Sequence, residues 1–210
     1  MVATAERPTA KPEQPPFKPE PGRRYSVAEY LEFERRTGER YDYHNGILIP
    51  MAGGTISHNL IASNINFELQ NALFDRPDFY VFGSDQKVRI PKGPRRYVYP
   101  DAIVVAGAPI LADDEAHAIT NPILIVEVLS DSTGHHDSNA KFFDYQDIPS
   151  FREYVLVWQD RPDVQVFLRQ APDLWRSSEI SGLHSDVVFE SIGVRLSLER
   201  IYRKVTFENA

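Results

Sequence analysis

The chain has 210 residues, 42% of them hydrophobic, which suits one domain with a proper core and leaves two full domains cramped. It has no cysteine, so disulfides and thiolate metal sites are excluded and any bound metal must take oxygen or imidazole ligands. The formal net charge of −7 argues against a protein that coats nucleic acid by bulk electrostatics, although it leaves room for local contact.

Residues 1–24 carry Pro8, Pro12, Pro15, Pro16, Pro19 and Pro21 among polar neighbours, a composition expected to form a disordered arm. This end lacks the apolar stretch of a signal peptide, and no run approaches the ~20 apolar residues that span a bilayer. A cytoplasmic protein without a membrane partner is expected.

Ser26 can cap a helix, with Glu29 completing a capping box and Gly38 supplying the stop, so a first helix is expected over about 27–36. Asn45-Gly46 tolerates the positive φ angles of a type I′ turn and sets a hairpin within 40–51. Leu60, Ile61, Ile65, Leu69, Ala72 and Leu73 fall at helical spacing and mark the main helix, 57–74. Strands are expected at 79–82, 86–90 and 101–106. Residues 123–129 (ILIVEVL) are apolar throughout except for one acid, as in a buried central strand. A helix over 137–146 follows, then a hairpin of 153–159 and 164–168 about the turn Asp160-Arg161-Pro162-Asp163, short strands near 175–180 and 187–190, and a closing helix near 197–202. This order suggests an α/β (α+β) fold in which helices flank one curved, mixed, largely antiparallel sheet.

Glu127 is the most informative residue, because a carboxylate inside ILIVEVL bears a heavy desolvation cost unless a cation compensates it. Asp101 follows Pro100, precedes AIVV, and stands at the start of a strand expected to neighbour that of Glu127. Two strand-borne carboxylates converging at one end of a sheet make an oxygen site suited to Mg²⁺ or Mn²⁺, with water completing the octahedron and the Val128 carbonyl as a third protein ligand. The alternative is a pair of structural acids satisfied by arginine or backbone donors.

Pro100-Asp101 followed 26 residues later by Glu127 resembles the PD-(D/E)XK signature, but the position two after the glutamate is Leu129 rather than lysine. Lys141, early in the next helix, is the replacement expected to fold back beside Glu127; the alternative is a surface lysine. The stretches RYDYHNGILIPMAGGTISHNLIASNI, SDQKVRIP, YVYPDAIVV, ILIVEVLSDST and KFFDYQDIPSFREYVLVWQDRP resemble, in this order and over about 25–205, the Uma-two family of restriction-endonuclease-like proteins (domain of unknown function 820). That resemblance implies a divalent-metal-dependent endonuclease in which Asp101, Glu127 and Lys141 act on nucleic acid, DNA before RNA, with homodimerisation common in the superfamily. A catalytically idle nuclease fold that binds nucleic acid or protein is the rival reading.

Secondary candidates complete the set. Lys87, Arg89, Lys92, Arg95 and Arg96 put five cations and no acid into ten residues, a candidate phosphate-facing patch or else a solvated strand and loop. Within it Lys87 is the second choice for the active-site cation. His58 opens the main helix and is a candidate for lining the site; Glu68, ten residues on, is nearly three turns away. Glu39 precedes the first strand, where some superfamily members carry an extra acid. His135-His136 has the look of a metal pair but lacks further ligands.

Overall fold

The structure is a computed structural model that describes residues 18–51, 53–91, 95–113, 115–129 and 141–207. Helix α1, Val27–Thr37, starts at the Ser26–Glu29 capping box and ends at Gly38, whose φ of 70° places it in the left-handed region that glycine adopts without strain. Strands β1, Tyr41–His44, and β2, Ile47–Pro50, form the expected hairpin, with Asn45 and Gly46 both at positive φ. Helix α2, Ile56–Ala72, is capped by Thr55 and buries Ile61, Ile65 and Leu69.

The strands that follow are β3 (Phe79–Gly83), β4 (Val88–Ile90), β5 (Arg96–Val98), β6 (Ala102–Ala106), β7 (Leu111–Ala112), β8 (Glu115–Ile119) and β9 (Pro122–Leu129). After β9 come the helical residues 141–145, here α3, the described part of the helix expected over 137–146. Strands β10 (Glu153–Trp158), β11 (Asp163–Ala171), β12 (Leu174–Ser181), β13 (Asp186–Phe189) and β14 (Val194–Ser197) lead to a short closing helix α4, Leu198–Ile201. Strands β5, β7, β8 and β14 were not anticipated; each is five residues or fewer, too short for a strong period-2 signal.

The mixed, largely antiparallel character is as expected, but the strands divide between two six-stranded sheets and a hairpin rather than forming one sheet. The orders are β2-β1-β5-β4-β8-β7 and β12-β11-β10-β9-β6-β3, with β13-β14 apart; among the described residues the parallel pairs are β9 with β10 and β4 with β8. Three apolar clusters bind these layers. Helices α2 and α4 and the β13–β14 hairpin cover one face of the second sheet. Helix α1 covers one face of the first through Tyr30, Phe33, Tyr41, Tyr43 and Tyr97. Between the sheets lie Val88, Ile90 and Val98 from one, Ile103, Ile125 and Leu156 from the other, and Tyr145, Ile148 and Phe151. The mouth of this wedge carries the candidate site.

The chain stretch 18–24, read from composition as part of the arm, makes definite contacts: the Glu20 N–H donates to the Tyr25 hydroxyl at 2.8 Å and Arg24 donates to the Asn45 carbonyl at 2.6 Å. Residues 1–17 lie outside the described residues. Among the described residues no helix is long and apolar enough to cross a membrane.

Candidate active site

The second sheet brings the two acids together by register. Strands β6 and β9 are antiparallel with Ala102 opposite Val126, so one step outward sets Asp101 beside Glu127, and both follow Ile103 and Ile125 on the wedge face. Asp101 closes the ladder: its Oδ2 accepts the Val128 N–H at 2.7 Å. Glu127, 7% exposed, accepts the Tyr145 hydroxyl at 2.7 Å, and the Lys141 ammonium stands 3.3 and 3.4 Å from its two oxygens. Lys141 and Tyr145 share a face of α3 because they are four residues apart. Burial outweighs the attraction of Lys141 and pushes the Glu127 carboxyl up to about 7, with repulsion from Asp101 and Asp42 adding to the effect.

His58, in the first turn of α2, points its Nε2 to within 3.4 Å of Asp101 Oδ2. That contact raises the imidazole's pKa against the opposing pull of burial. The Nδ1 atom is buried without a hydrogen-bond partner among the described residues. Gly54 makes this approach possible, since a Cβ there would lie 2.6 Å from His58 Nδ1. The Thr55 hydroxyl, which caps α2 by accepting the His58 N–H, donates to Gln159 at 2.7 Å and ties the helix start to the end of β10.

Asp101, Glu127, Val128, Lys141 and His58 therefore meet in one place. Two further residues join them that the sequence reading did not select. One is Tyr145; its spacing from Lys141 was a usable signal. The other is Asp42 on β1, with Oδ2 3.9 Å from the Lys141 ammonium and Oδ1 accepting the Tyr99 N–H at 3.2 Å. Strand alternation turns Asp42 away from the α1-facing Tyr41 and Tyr43, but nothing local says what it then faces.

The basic segment does not form a single surface. Arg89 is opposite Tyr97 on the α1 face of the first sheet. Lys87, two residues earlier, shares that face and is buried, with its ammonium 2.9 Å from Glu34 and 4.8 Å from the Tyr30 ring centre. Arg96 turns to the opposite face and pairs with Asp144. Lys92 lies outside the described residues, as do His135 and His136. Thus Lys87 stands in a buried ion pair with Glu34 rather than beside Glu127, because a strand sends alternate side chains to opposite faces. Glu39 accepts the Tyr41 hydroxyl at 2.5 Å, and Glu68 accepts from Arg200 at 3.0 Å, both away from the acid pair.

The profile of the Uma2 family, described as "Putative restriction endonuclease", matches residues 27–199. This chain belongs to the Uma2 family. Among its relatives is "Uncharacterized protein sll1609" of Synechocystis sp., 34% identical over 164 residues that make up 78% of this chain and 92% of that protein. Another is "Uncharacterized protein slr1290" of the same organism, 30% identical over 183 residues, 87% of this chain and 93% of the other. The Uma2 chain also resembles a crystal structure from Anabaena variabilis described as a "putative nuclease belonging to DUF820", with a TM-score of 0.66 at 16% identity, covering 87% of this chain and 99% of that one. The fold is therefore nuclease-like.

The fit of a divalent ion to this Uma2 site follows from its donors. The carboxylates of Asp101 and Glu127 and the carbonyl of Val128 are hard oxygen donors, and Glu127, raised chiefly by burial and further by Asp101, is a carboxylate whose charged form a cation would stabilise. Among the described residues no three Asp, Glu or His side chains are spaced to hold an ion by themselves. Such a donor set suits an ion that keeps several waters, as Mg²⁺ and Mn²⁺ do.

Proposed function

We propose that this Uma2-family chain is a divalent-metal-dependent endonuclease that hydrolyses phosphodiester bonds of nucleic acid, with DNA the expected substrate. The observation that carries the reading is the buried Glu127 carboxylate set beside Asp101 with the Lys141 ammonium at 3.3 Å. Asp101, Glu127 and the Val128 carbonyl would hold Mg²⁺ or Mn²⁺, which when bound supplies Lewis-acid neutralisation of the scissile phosphate and acidifies water.

The rest is the work of this chain's own side chains. Lys141 sets a positive charge where negative charge develops on the attacking and non-bridging oxygens. The Tyr145 hydroxyl and Lys141 hold the Glu127 carboxylate in one orientation. His58, with its Nε2 3.4 Å from Asp101 Oδ2, orients that carboxylate. Lys87 and Arg89 support the sheet that carries Asp42, whereas direct phosphate contact is the role of the groups at the mouth.

The test is incubation of the purified protein with plasmid, single-stranded DNA and RNA, each with Mg²⁺, Mn²⁺ or EDTA, alongside calorimetric Mn²⁺ titration. Metal-dependent cleavage and Mn²⁺ binding that are both lost in Asp101→Ala and Glu127→Ala support the reading. Unchanged Mn²⁺ affinity in both variants overturns it. Leu129 at the lysine position of the motif favours a second reading, a catalytically idle module that binds nucleic acid or protein; Mn²⁺ binding without cleavage of any substrate would select it. Light scattering in the same preparations reports whether the protein is a homodimer.

A further inference from the structure

A lysine two residues beyond Glu127 would share its strand and be held by the ladder, but that position is Leu129. Lys141 instead reaches the site from α3, on a four-carbon side chain with about 2 kcal/mol of rotamer entropy to suppress. Something must fix it. The ammonium lies between two carboxylates from different sheets: Glu127 on β9, at 3.3 and 3.4 Å, and Asp42 on β1, at 3.9 Å. The Lys141 side chain is only 17% exposed.

Asp42 is itself held in place. Its Oδ1 accepts the Tyr99 N–H, which leaves Oδ2 directed at Lys141. The Tyr99 hydroxyl is in turn anchored by the Glu34 carboxylate at 3.0 Å, so the β1–β5 pair that carries Asp42 is braced from the α1 side. The two carboxylates differ in their other duties. Glu127 also accepts from Tyr145 and would be shared with a divalent ion, whereas Asp42 accepts the Tyr99 N–H through Oδ1.

We propose that Asp42 is a positioning residue for Lys141, the counter-charge that keeps the ammonium at the site while Glu127 is engaged elsewhere. The role rests on the nuclease reading for its purpose, but not for its measurement. Asp42 would let a lysine delivered by a helix do what strand geometry does for a lysine in the usual motif position.

Site-resolved lysine acylation read by mass spectrometry tests this on the intact chain. Asp42→Asn removes the charge and keeps the Oδ1 acceptor for Tyr99. In EDTA, Lys141 in this variant is expected to acylate faster by on the order of fivefold, which is what about 1 kcal/mol of lost pairing gives at 25 °C. Exposed Lys18 and Lys204 serve as references and should not change, and Asp42→Glu should restore most of the protection. With saturating Mn²⁺ the parental Lys141 stays protected, whereas in Asp42→Asn its acylation rises further because Glu127 no longer holds it. An unchanged Lys141 rate in Asp42→Asn overturns the proposal whatever the cleavage assay shows. If Mn²⁺ has no effect on either protein but the EDTA difference is present, the metal site fails and the positioning role stands. Should buried Lys87 acylate faster along with Lys141, the domain has loosened and Asp42→Glu decides: parental protection of Lys141 supports the role, and exposure of Lys141 alone overturns it.

Discussion

Replacing Glu127 by glutamine is expected to raise the melting temperature of the metal-free protein at pH 8 and to leave it nearly unchanged at pH 4.5. Burial pushes the folded carboxyl from 4.5 up to about 7, against the attraction of Lys141 and the Tyr145 hydroxyl. Between those two values the folded chain holds a proton that the unfolded chain has released. Stability therefore declines as pH rises across that window, and the whole cost is present above about pH 7. At about 1.4 kcal/mol per pH unit the displacement corresponds to about 3 kcal/mol. Glutamine keeps an acceptor for the Tyr145 hydroxyl and, like the protonated acid, carries no charge; because the displacement is already net of the Lys141 attraction, the expected gain is the whole of about 3 kcal/mol. For a domain of this size that is a rise of about 6–12 °C. Differential scanning calorimetry in EDTA at both pH values measures it. Adding Mn²⁺ at about 1,000 times its Kd should stabilise the parental protein by about 4.1 kcal/mol and the glutamine variant far less, which reverses their order. A variant that melts at or below the parental temperature at pH 8, or shows the same offset at both pH values, would refute the assignment of an uncompensated buried charge to Glu127.

Lys141→Ala should lower metal-dependent cleavage by about 10²–10³ while calorimetric Mn²⁺ binding persists, since the group supplies charge rather than a ligand; Lys141→Arg should rescue poorly because a planar guanidinium does not fit an ammonium's place. Parental cleavage by Lys141→Ala would remove it from the mechanism. Lys87→Met should destabilise by about 3 kcal/mol in thermal melts, because it leaves Glu34 without its buried partner, yet leave Mn²⁺ affinity alone. Loss of cleavage at an unchanged melting temperature would instead put Lys87 in the chemistry. Gly54→Ala brings a Cβ to 2.6 Å from His58 Nδ1 and should displace the ring from Asp101, so the His58 midpoint followed by NMR falls toward 6.5. An unmoved midpoint would show that Asp101 does not set it.

Much of the fold was legible because its signals are local. The Ser26–Glu29 box, the Gly38 stop and the Asn45-Gly46 turn each act within a few residues, and α1 and the β1–β2 hairpin formed where those signals lie. The unbroken apolar run around Glu127 announced a strand buried on both faces, and β9 is central in its sheet, between β6 and β10. What was not legible was the division into two sheets. It depends on β5 and β8, short strands whose partners β1 and β4 are chosen by packing across the wedge rather than by their own three to five residues.

The same division separates the charges. By itself the sequence determined that Glu127 would be a costly buried acid, that Asp101 would stand at the head of a strand, and that no lysine follows Glu127 at the motif spacing, because residue type and period fix these. Only the tertiary structure decided which charges meet. Five cations in ten residues read as one basic patch, yet the pleat sends Lys87 and Arg89 to the α1 face and Arg96 to the other, where Glu34 and Asp144 await Lys87 and Arg96. Asp42 was invisible for the converse reason. Alternation gave its face, but its meeting with Lys141, 99 positions along the chain, is set by how two sheets close on a helix, and electrostatic energy depends on distance in space rather than along the sequence.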